Sequence, residues 1–136
     1  MRVVVCLDEA GGLMFNRRRQ SRDRTVTEDV IASVGTGRLW LAPYSEKLFM
    51  EVGGDYLVDE SFLARAGEGD VCFVEDRHLS EWVDRIDELV IYRWNRRYPA
   101  DLYFDLSPEA LGFSLRETAE WQGTSHEKIT KEIFVK

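Results

Sequence analysis

The stretch VCFVEDRHLSEWVDRIDELVIYRW, residues 71–94, decides the fold class of this chain. Its first four residues, Val71–Val74, form an apolar run of the length that a buried strand requires. Apolar residues then recur with the 0, 3, 4, 7 spacing of one helix face, at Leu79, Trp82, Val83 and Ile86. Because Glu88–Trp94 follows as another strand, the stretch predicts a strand–helix–strand unit and hence a parallel sheet.

The N-terminal half predicts the same alternation of strands and helices. Val3–Leu7 is a short, wholly apolar strand that ends in a turn with two glycines, and a long loop, Leu13–Arg24, follows it. Thr27 is the predicted N-cap of the first helix, and Gly35 is its predicted end. The further predicted elements are a strand at Arg38–Ala42, a helix at Tyr44–Val52, a strand at Tyr56–Val58 and a helical turn at Phe62–Ala66.

The C-terminal part changes period and predicts strands without helices between them. These strands are Leu102–Phe104, Phe113–Trp121 and Ile129–Val135, and the last two alternate as an antiparallel hairpin does. The chain therefore opens as a βαβαβ arrangement and closes on a hairpin. Its 136 residues suit a single α/β domain, residues 1–136.

The charges are distributed unevenly along the chain. The net charge is −7, although residues 1–24 hold six arginines and only three acids. An acidic body argues against general nucleic-acid binding and against binding to anionic membranes, because both require a broad positive field. No apolar run is long enough to span a membrane, and the opening apolar run is too short for a signal peptide, so we expect a cytoplasmic protein.

Several segments, taken in order, resemble the dihydrofolate reductase family. Phe73–Leu79, Ile86–Tyr92 and Ala100–Phe104 are similar to three consecutive segments of that family. Val5–Asp8, with the glycines and Asn16 that follow, resembles its first strand and mobile loop. The resemblance implies a three-layer α/β fold with a mixed, mostly parallel sheet and a C-terminal antiparallel hairpin. It also implies that Cys6 and Cys72 lie on neighbouring central strands, and the apolar residues that flank each cysteine predict buried, reduced thiols.

The same resemblance implies a cofactor site whose phosphate-binding residues are missing here. The family has Gly-Gly at the turn after the strand that ends at Val74, where this chain has Glu75-Asp76. Two carboxylates repel phosphate, and we expect them to occupy the positive end of a helix that begins after Asp76. The second phosphate element corresponds to residues 42–45, where Pro43 lacks an N–H and Ser45 alone keeps a hydroxyl. We therefore expect a degenerate cofactor site at Pro43, Ser45, Glu75 and Asp76, and no NADP as cofactor.

The substrate side of the resemblance leaves two interpretations open. The family has an acid in its first helix that polarises the pteridine ring, and Glu28 or Asp29 lies near that position. Either residue is a candidate catalytic acid. Acids in a first helical turn also simply complement the helix dipole.

The arginine-rich segment is the most unusual part of the sequence. Guanidinium groups bind phosphate and carboxylate through paired hydrogen bonds, so the segment is a candidate ligand-binding site for an anion. The alternative is a solvated loop paired with the acidic body. The candidate residues are Asn16, Arg17, Arg18, Arg19, Arg22 and Arg24.

No metal site is expected, because the two histidines and two cysteines have no ligand spacing. We interpret His78 and His126 as surface or capping residues.

The leading functional hypothesis is a non-reductase member of this fold that binds a small or anionic ligand in the substrate cleft. One alternative is an NADPH-dependent reductase of a pteridine-like substrate with altered cofactor binding. A protein-interaction module is the other.

Overall fold

A computed structural model describes all 136 residues. Its strands are β1 Arg2–Leu7, β2 Gly12–Phe15, β3 Arg18–Arg19, β4 Leu39–Leu41, β5 Leu57–Val58, β6 Val71–Phe73, β7 Glu88–Arg93, β8 Leu102–Tyr103, β9 Ser114–Trp121 and β10 Ile129–Val135. Its α-helices are α1 Arg24–Ala32, α2 Glu46–Met50 and α3 Phe62–Arg65. Two 3₁₀-helices span Pro43–Ser45 and Ser80–Arg85.

Seven strands form one twisted sheet in the order β5-β4-β6-β1-β7-β10-β9. The first five of these run parallel, whereas β10 is antiparallel to both β7 and β9. This order confirms the predicted fold class, a mixed and mostly parallel sheet that closes on an antiparallel hairpin. The longest helix, α1, has nine residues, fewer than a membrane-spanning helix needs.

Both faces of the central strands are buried, which explains their wholly apolar sequences. Along β1, Val3 and Val5 pack on one face and Val4 on the other. The first face is covered by α3, the second 3₁₀-helix and β2, and the opposite face by α1 and α2. The sheet thus forms the middle of three layers.

The two cysteines lie on neighbouring strands, as the resemblance implied. Cys72 of β6 shares the first face with Val3 and Val5 of β1, whereas Cys6 packs toward the opposite face. Because the two side chains leave the sheet in opposite directions, they cannot form a disulfide, and both thiols are free.

The prediction of a loop at Leu13–Arg24 is wrong in part, because this segment contributes two strands to a second, three-stranded sheet of order β3-β2-β8. Leu13 and Met14 are buried against the first face of the main sheet. Strands of two to four residues are too short to show a periodic pattern in sequence.

The helix boundaries also differ from the predicted ones. Helix α1 begins four residues earlier, since Asp23 caps it by accepting the N–H of Thr25 at 3.0 Å, and Thr27 is buried within it. It ends at Ala32, before Gly35. The helix predicted after Asp76 is a 3₁₀-helix that starts only at Ser80.

Strand β9 forms an exposed edge of the main sheet. Its register against β10 shifts between Ile133 and Phe134, which marks a β-bulge. A bulged edge with charged side chains is a poor template for further strand pairing.

Candidate functional site

The carboxyl ends of the parallel strands meet at one edge, and a buried carboxylate lies there. Glu75 follows β6, and its two oxygens accept Nε and Nη2 of Arg19 at 2.8 and 3.0 Å. The hydroxyl of Ser45, which follows β4, donates to Oε1 of Glu75 at 2.8 Å. We call Arg19, Ser45 and Glu75 the Glu75 cluster. It links β3 to the ends of two central strands.

Tyr44 completes the surroundings of Arg19. The guanidinium carbon lies 4.7 Å from the centre of the Tyr44 ring, and the Arg19 N–H donates to the phenol oxygen at 2.8 Å. Burial alone would lower the pKa of Arg19, but the Glu75 carboxylate outweighs it and raises that pKa. Arg19 is therefore a fixed cation with its charge already matched.

Asp76 does not lie at a helix N-terminus, contrary to expectation. Its oxygens accept Nε and Nη2 of Arg77 at 2.8 and 3.2 Å. The first N–H groups of the following 3₁₀-helix, those of Leu79 and Ser80, donate instead to Asp105 at 2.8 and 2.9 Å. The positive end is thus occupied by an acid 26 residues beyond Leu79.

A cavity of about 420 Å³ opens beside the Glu75 cluster. We call it the cleft cavity. It is lined by Met14, Arg17, Tyr44, Asp76, Asp101 and Leu102. Its wall therefore combines apolar surface, an aromatic ring, one guanidinium and two carboxylates.

The candidate arginines do not converge on one point. Arg19 is held in the Glu75 cluster, Arg22 pairs with Glu51 at 2.8 Å, and Arg24 pairs with Glu28 at 3.6 Å. Arg17 and Arg18 make no ion pair. These two leave the β2–β3 hairpin in different directions, Arg17 into the cleft cavity and Arg18 into a separate cavity of about 260 Å³.

The hairpin turn that presents Arg17 is held in an uncommon backbone conformation. Asn16 and Arg17 have φ of 53° and 62°, and the N–H of Asn16 donates to Asp101 at 3.0 Å. Asn tolerates the left-handed region better than most residues do. Asn16 itself borders the separate cavity, and its backbone bond to Asp101 holds the turn that presents Arg17.

Of the two candidate acids, Glu28 faces solvent and Asp29 faces the sheet. Asp29 accepts the phenol of Tyr92 at 2.6 Å and Nζ of Lys131 at 2.7 Å. Burial, followed by the contact with Asp29, raises the pKa of Tyr92 far above its usual range. The ring of Tyr92 fills the space beneath α1, so the Asp29 carboxylate is engaged by the protein itself.

Sequence reasoning missed a buried network around Asp23. Its carboxylate accepts the N–H and the hydroxyl of Thr25, the N–H groups of Thr124 and Ser125, and Nδ1 of His126. His126, expected at the surface or at a cap, is only 4% exposed. The two residues are 103 positions apart, and no local pattern pairs them.

The environment of Asp23 fixes its charge. Burial opposes ionisation, but the hydrogen bonds from Thr25, His126 and Ser125 outweigh it and hold the pKa of Asp23 well below its usual range. Asp23 is thus a buried, ionised carboxylate that accepts hydrogen bonds only.

A second buried carboxylate anchors the loops around this network. Asp8 accepts the N–H groups of Gly12 and Tyr98 at 2.8 and 3.1 Å and the side-chain amide of Gln20 at 3.0 Å. Burial raises the pKa of Asp8, but the hydrogen bonds lower it by a larger amount, so the net effect is a decrease in that pKa. The Oε1 atom of Gln20 is buried without a partner.

Comparison with known proteins gives a structural match only. No protein-family model and no curated protein matches the sequence. The structure is similar to dihydrofolate reductase from Enterococcus faecalis, solved in complex with NADP(H) and RAB-propyl. The TM-score is 0.69 and the sequence identity 12%, over 98% of this chain and 94% of that one. The chain therefore has a dihydrofolate reductase-like fold, and at this identity the match establishes the fold alone.

Proposed function

We propose that this protein is a ligand-binding member of the dihydrofolate reductase-like fold that does not use NADPH as that enzyme family does. Its ligand is a small molecule that carries an anionic group and binds in the cleft cavity. The Glu75 cluster carries this proposal, because it places a buried carboxylate at the strand ends where the family resemblance implies the cofactor phosphates.

Three features of that edge oppose phosphate binding. The Glu75 carboxylate is buried and ionically paired, so it cannot move aside without leaving Arg19 unpaired. Asp76, next to it, is paired with Arg77, and an ionised carboxylate has no hydrogen to donate to a phosphate oxygen. Pro43 has no N–H to donate to a phosphate oxygen.

The cleft cavity supports binding of a ligand with mixed character. Arg17 lines it with no carboxylate partner and can grip a carboxylate or phosphate with two hydrogen bonds. Asp101 lies on the same wall and accepts hydrogen bonds from ligand donors. A small molecule with an anionic group and nearby N–H or O–H donors satisfies both residues, while Met14 and Tyr44 pack on its apolar part.

Titration with NADPH tests the cofactor half of the proposal. We expect no saturable binding by isothermal titration calorimetry up to millimolar NADPH. The triple variant Glu75→Gly, Asp76→Gly and Arg19→Met, in which the third change avoids an unpaired cation, is expected to gain weak affinity. A micromolar dissociation constant for the unaltered protein would instead establish it as a nucleotide-dependent reductase candidate.

A screen of small carboxylates and phosphates at low salt tests the ligand half. An identified ligand is expected to lose at least about tenfold in affinity in Arg17→Gln, because one charged hydrogen-bond pair is removed. Arg24→Gln is the matched control, because Arg24 is an exposed arginine outside both cavities, and it should bind normally. Absence of any binder at low salt, or an equal loss in both variants, contradicts the proposal.

A further inference from the structure

A chain of hydrogen bonds runs outward from Asp23 through His126 to a serine. Nδ1 of His126 lies 3.0 Å from Oδ2 of Asp23, and Nε2 lies 3.0 Å from Oγ of Ser21. The phenol oxygen of Tyr98 is 3.4 Å from the same Ser21 oxygen and 3.2 Å from Nε2. Four side chains from three distant segments thus converge on one point.

The charge of Asp23 decides which nitrogen of His126 carries the proton. An ionised carboxylate only accepts, so Nδ1 must donate to it. With Nδ1 as the donor, the Ser21 hydroxyl is placed to donate to Nε2 whenever that nitrogen carries no proton. This is the order of roles in an aspartate–histidine–serine triad, which is recognised by geometry and not by sequence position.

The imidazole is held in that orientation by its surroundings. Its ring stacks on Trp94, with centroids 4.7 Å apart and an interplanar angle of 18°. The side chain is 1% exposed, whereas Ser21 at the outer end is only half-buried. The base is therefore stacked in place and shielded from water, and the serine that it contacts is the partly accessible end of the group.

Tyr98 supplies a donor beside the nucleophile. Its hydroxyl donates to Oγ of Ser21, and a small shift would direct it to an oxygen on a carbon bonded to that Oγ. Tyrosine hydroxyls are among the donors that stabilise an oxyanion. Tyr98 thus adds a positioned donor to the nucleophile and base.

A cavity of about 260 Å³ lies next to this group and indicates the substrate class. It is lined by Gln20, which precedes Ser21 in the chain, and by Tyr98, which contacts Ser21 in space. Phe15 and Arg18 also line it. Arg18 has no carboxylate partner, and Phe15 is 47% exposed. The cavity therefore suits a small acyl compound with an apolar part and an anionic group.

We infer that Ser21, His126 and Asp23 form a nucleophilic triad that hydrolyses small anionic esters. Ser21 Oγ forms a bond to the carbonyl carbon, and its proton passes to Nε2 of His126. The carbon–oxygen bond to the alcohol then breaks, and the alcohol leaves with that proton. Water attacks the acyl-serine in the same way and releases the acid, so one water is consumed and no redox partner is needed.

Labelling with a fluorophosphonate probe, followed by peptide mass spectrometry, tests the assignment. We expect one adduct, on Ser21, and hydrolysis of a carboxylate-bearing nitrophenyl ester. Both should be lost in Ser21→Ala and fall at least about 100-fold in His126→Gln. Ser125→Ala is the matched control, since the Ser125 N–H and not its hydroxyl contacts Asp23, and it should react as the unaltered protein does.

Because His126 is buried, circular dichroism must show that each variant is folded, and Ser21→Cys provides a second measure. A triad predicts that iodoacetamide alkylates the introduced thiol at least about tenfold faster than an ordinary exposed cysteine. The Tyr98→Phe variant should keep probe labelling but slow ester hydrolysis. An absence of any adduct on Ser21 together with an ordinary alkylation rate overturns the inference, as does equal labelling of Ser21→Ala.

This inference is independent of the cleft cavity. Arg17→Gln removes the proposed ligand contact and leaves the triad intact, whereas Ser21→Ala does the reverse. The two proposals therefore fail separately.

Discussion

The carboxylate of Asp23 is fully buried, and its five hydrogen bonds join the start of α1 to the turn between β9 and β10. Replacing it with Asn keeps the shape but turns one acceptor into a donor that faces other donors. We expect Asp23→Asn to lower the free energy of unfolding by on the order of 3 kcal/mol at pH 7, measured by urea denaturation. Asp55→Asn, at an exposed loop position, is the control and should have little effect.

Asp23 also gives the protein an acid-sensitive step. Its folded pKa lies below the unfolded value of about 3.9, so its stabilising contribution is fully present above that value. The contribution disappears as the pH falls from about 4 toward the folded pKa. Stability measured between pH 6 and pH 2 should therefore fall less steeply in Asp23→Asn. Parallel curves for the two proteins would contradict this explanation.

The close approach of the Asp23 carboxylate leaves no room for a side chain at Gly123. A Cβ atom there would clash with Oδ2 and Cγ of Asp23. We expect Gly123→Ala to destabilise the protein by about 1–3 kcal/mol, measured by thermal unfolding. Gly67→Ala is the control, because its nearest neighbour would lie at an ordinary 3.7 Å. Equal melting temperatures for the two variants would show that the turn relaxes freely.

At the scale of elements, the Glu75 cluster fastens the β2–β3 hairpin to the main sheet. Replacing Arg19 with Met leaves a buried carboxylate with only Ser45 as a side-chain partner. We expect a loss on the order of 3 kcal/mol in the free energy of unfolding. Arg18→Met removes an exposed, unpaired arginine from the same strand and should change it by less than about 0.5 kcal/mol. Similar small effects in both variants would show that the Arg19 pair is not stabilising.

Elements with long apolar runs could be predicted from sequence, and short or polar ones could not. The strands that contain Val3–Leu7 and Val71–Val74 follow from their burial on both faces. The 3₁₀-helix at Ser80–Arg85 was predicted as α-helix, because apolar residues three and four apart suit both geometries. The N-cap at Asp23 was missed because Thr27, also a good capping residue, stands closer to the apolar positions.

The candidate site was predictable only where it follows local chemistry. Glu75 and Asp76 stand out because carboxylates replace the glycines that the resemblance implies. The contacts between distant residues could not be read from the sequence, since Arg19 is 56 residues from Glu75 and His126 is 105 residues from Ser21. Such contacts depend on strand order, which brings distant loops to one edge of the sheet.

For the molecule as a whole, the cysteines report on unfolding. Cys72 is fully buried, and burial, followed by the nearby Asp70 charge, raises its pKa to about 12. Burial and then Glu75 raise the pKa of Cys6 well above its ordinary value, although its side chain is partly accessible. Both thiols should therefore react slowly in the native protein.

Reaction with a chromogenic disulfide reagent, with and without urea, measures this. For Cys72 we expect native labelling at least about 1,000-fold slower than in the unfolded chain, because it requires global opening. Cys6 should react faster than Cys72 and slower than a free thiol. Rapid native labelling of Cys72 would contradict its place in the centre of the sheet.

The Glu75 cluster restricts the order in which mutations at this edge can accumulate. Loss of Glu75 alone leaves a half-buried guanidinium unpaired, and loss of Arg19 alone leaves a buried carboxylate unpaired, so either single mutation gives a less stable protein. Only simultaneous replacement of both residues avoids this less stable intermediate. A laboratory selection for phosphate binding at this edge should therefore recover Arg19 and Glu75 changed together, or first enrich stabilising substitutions elsewhere.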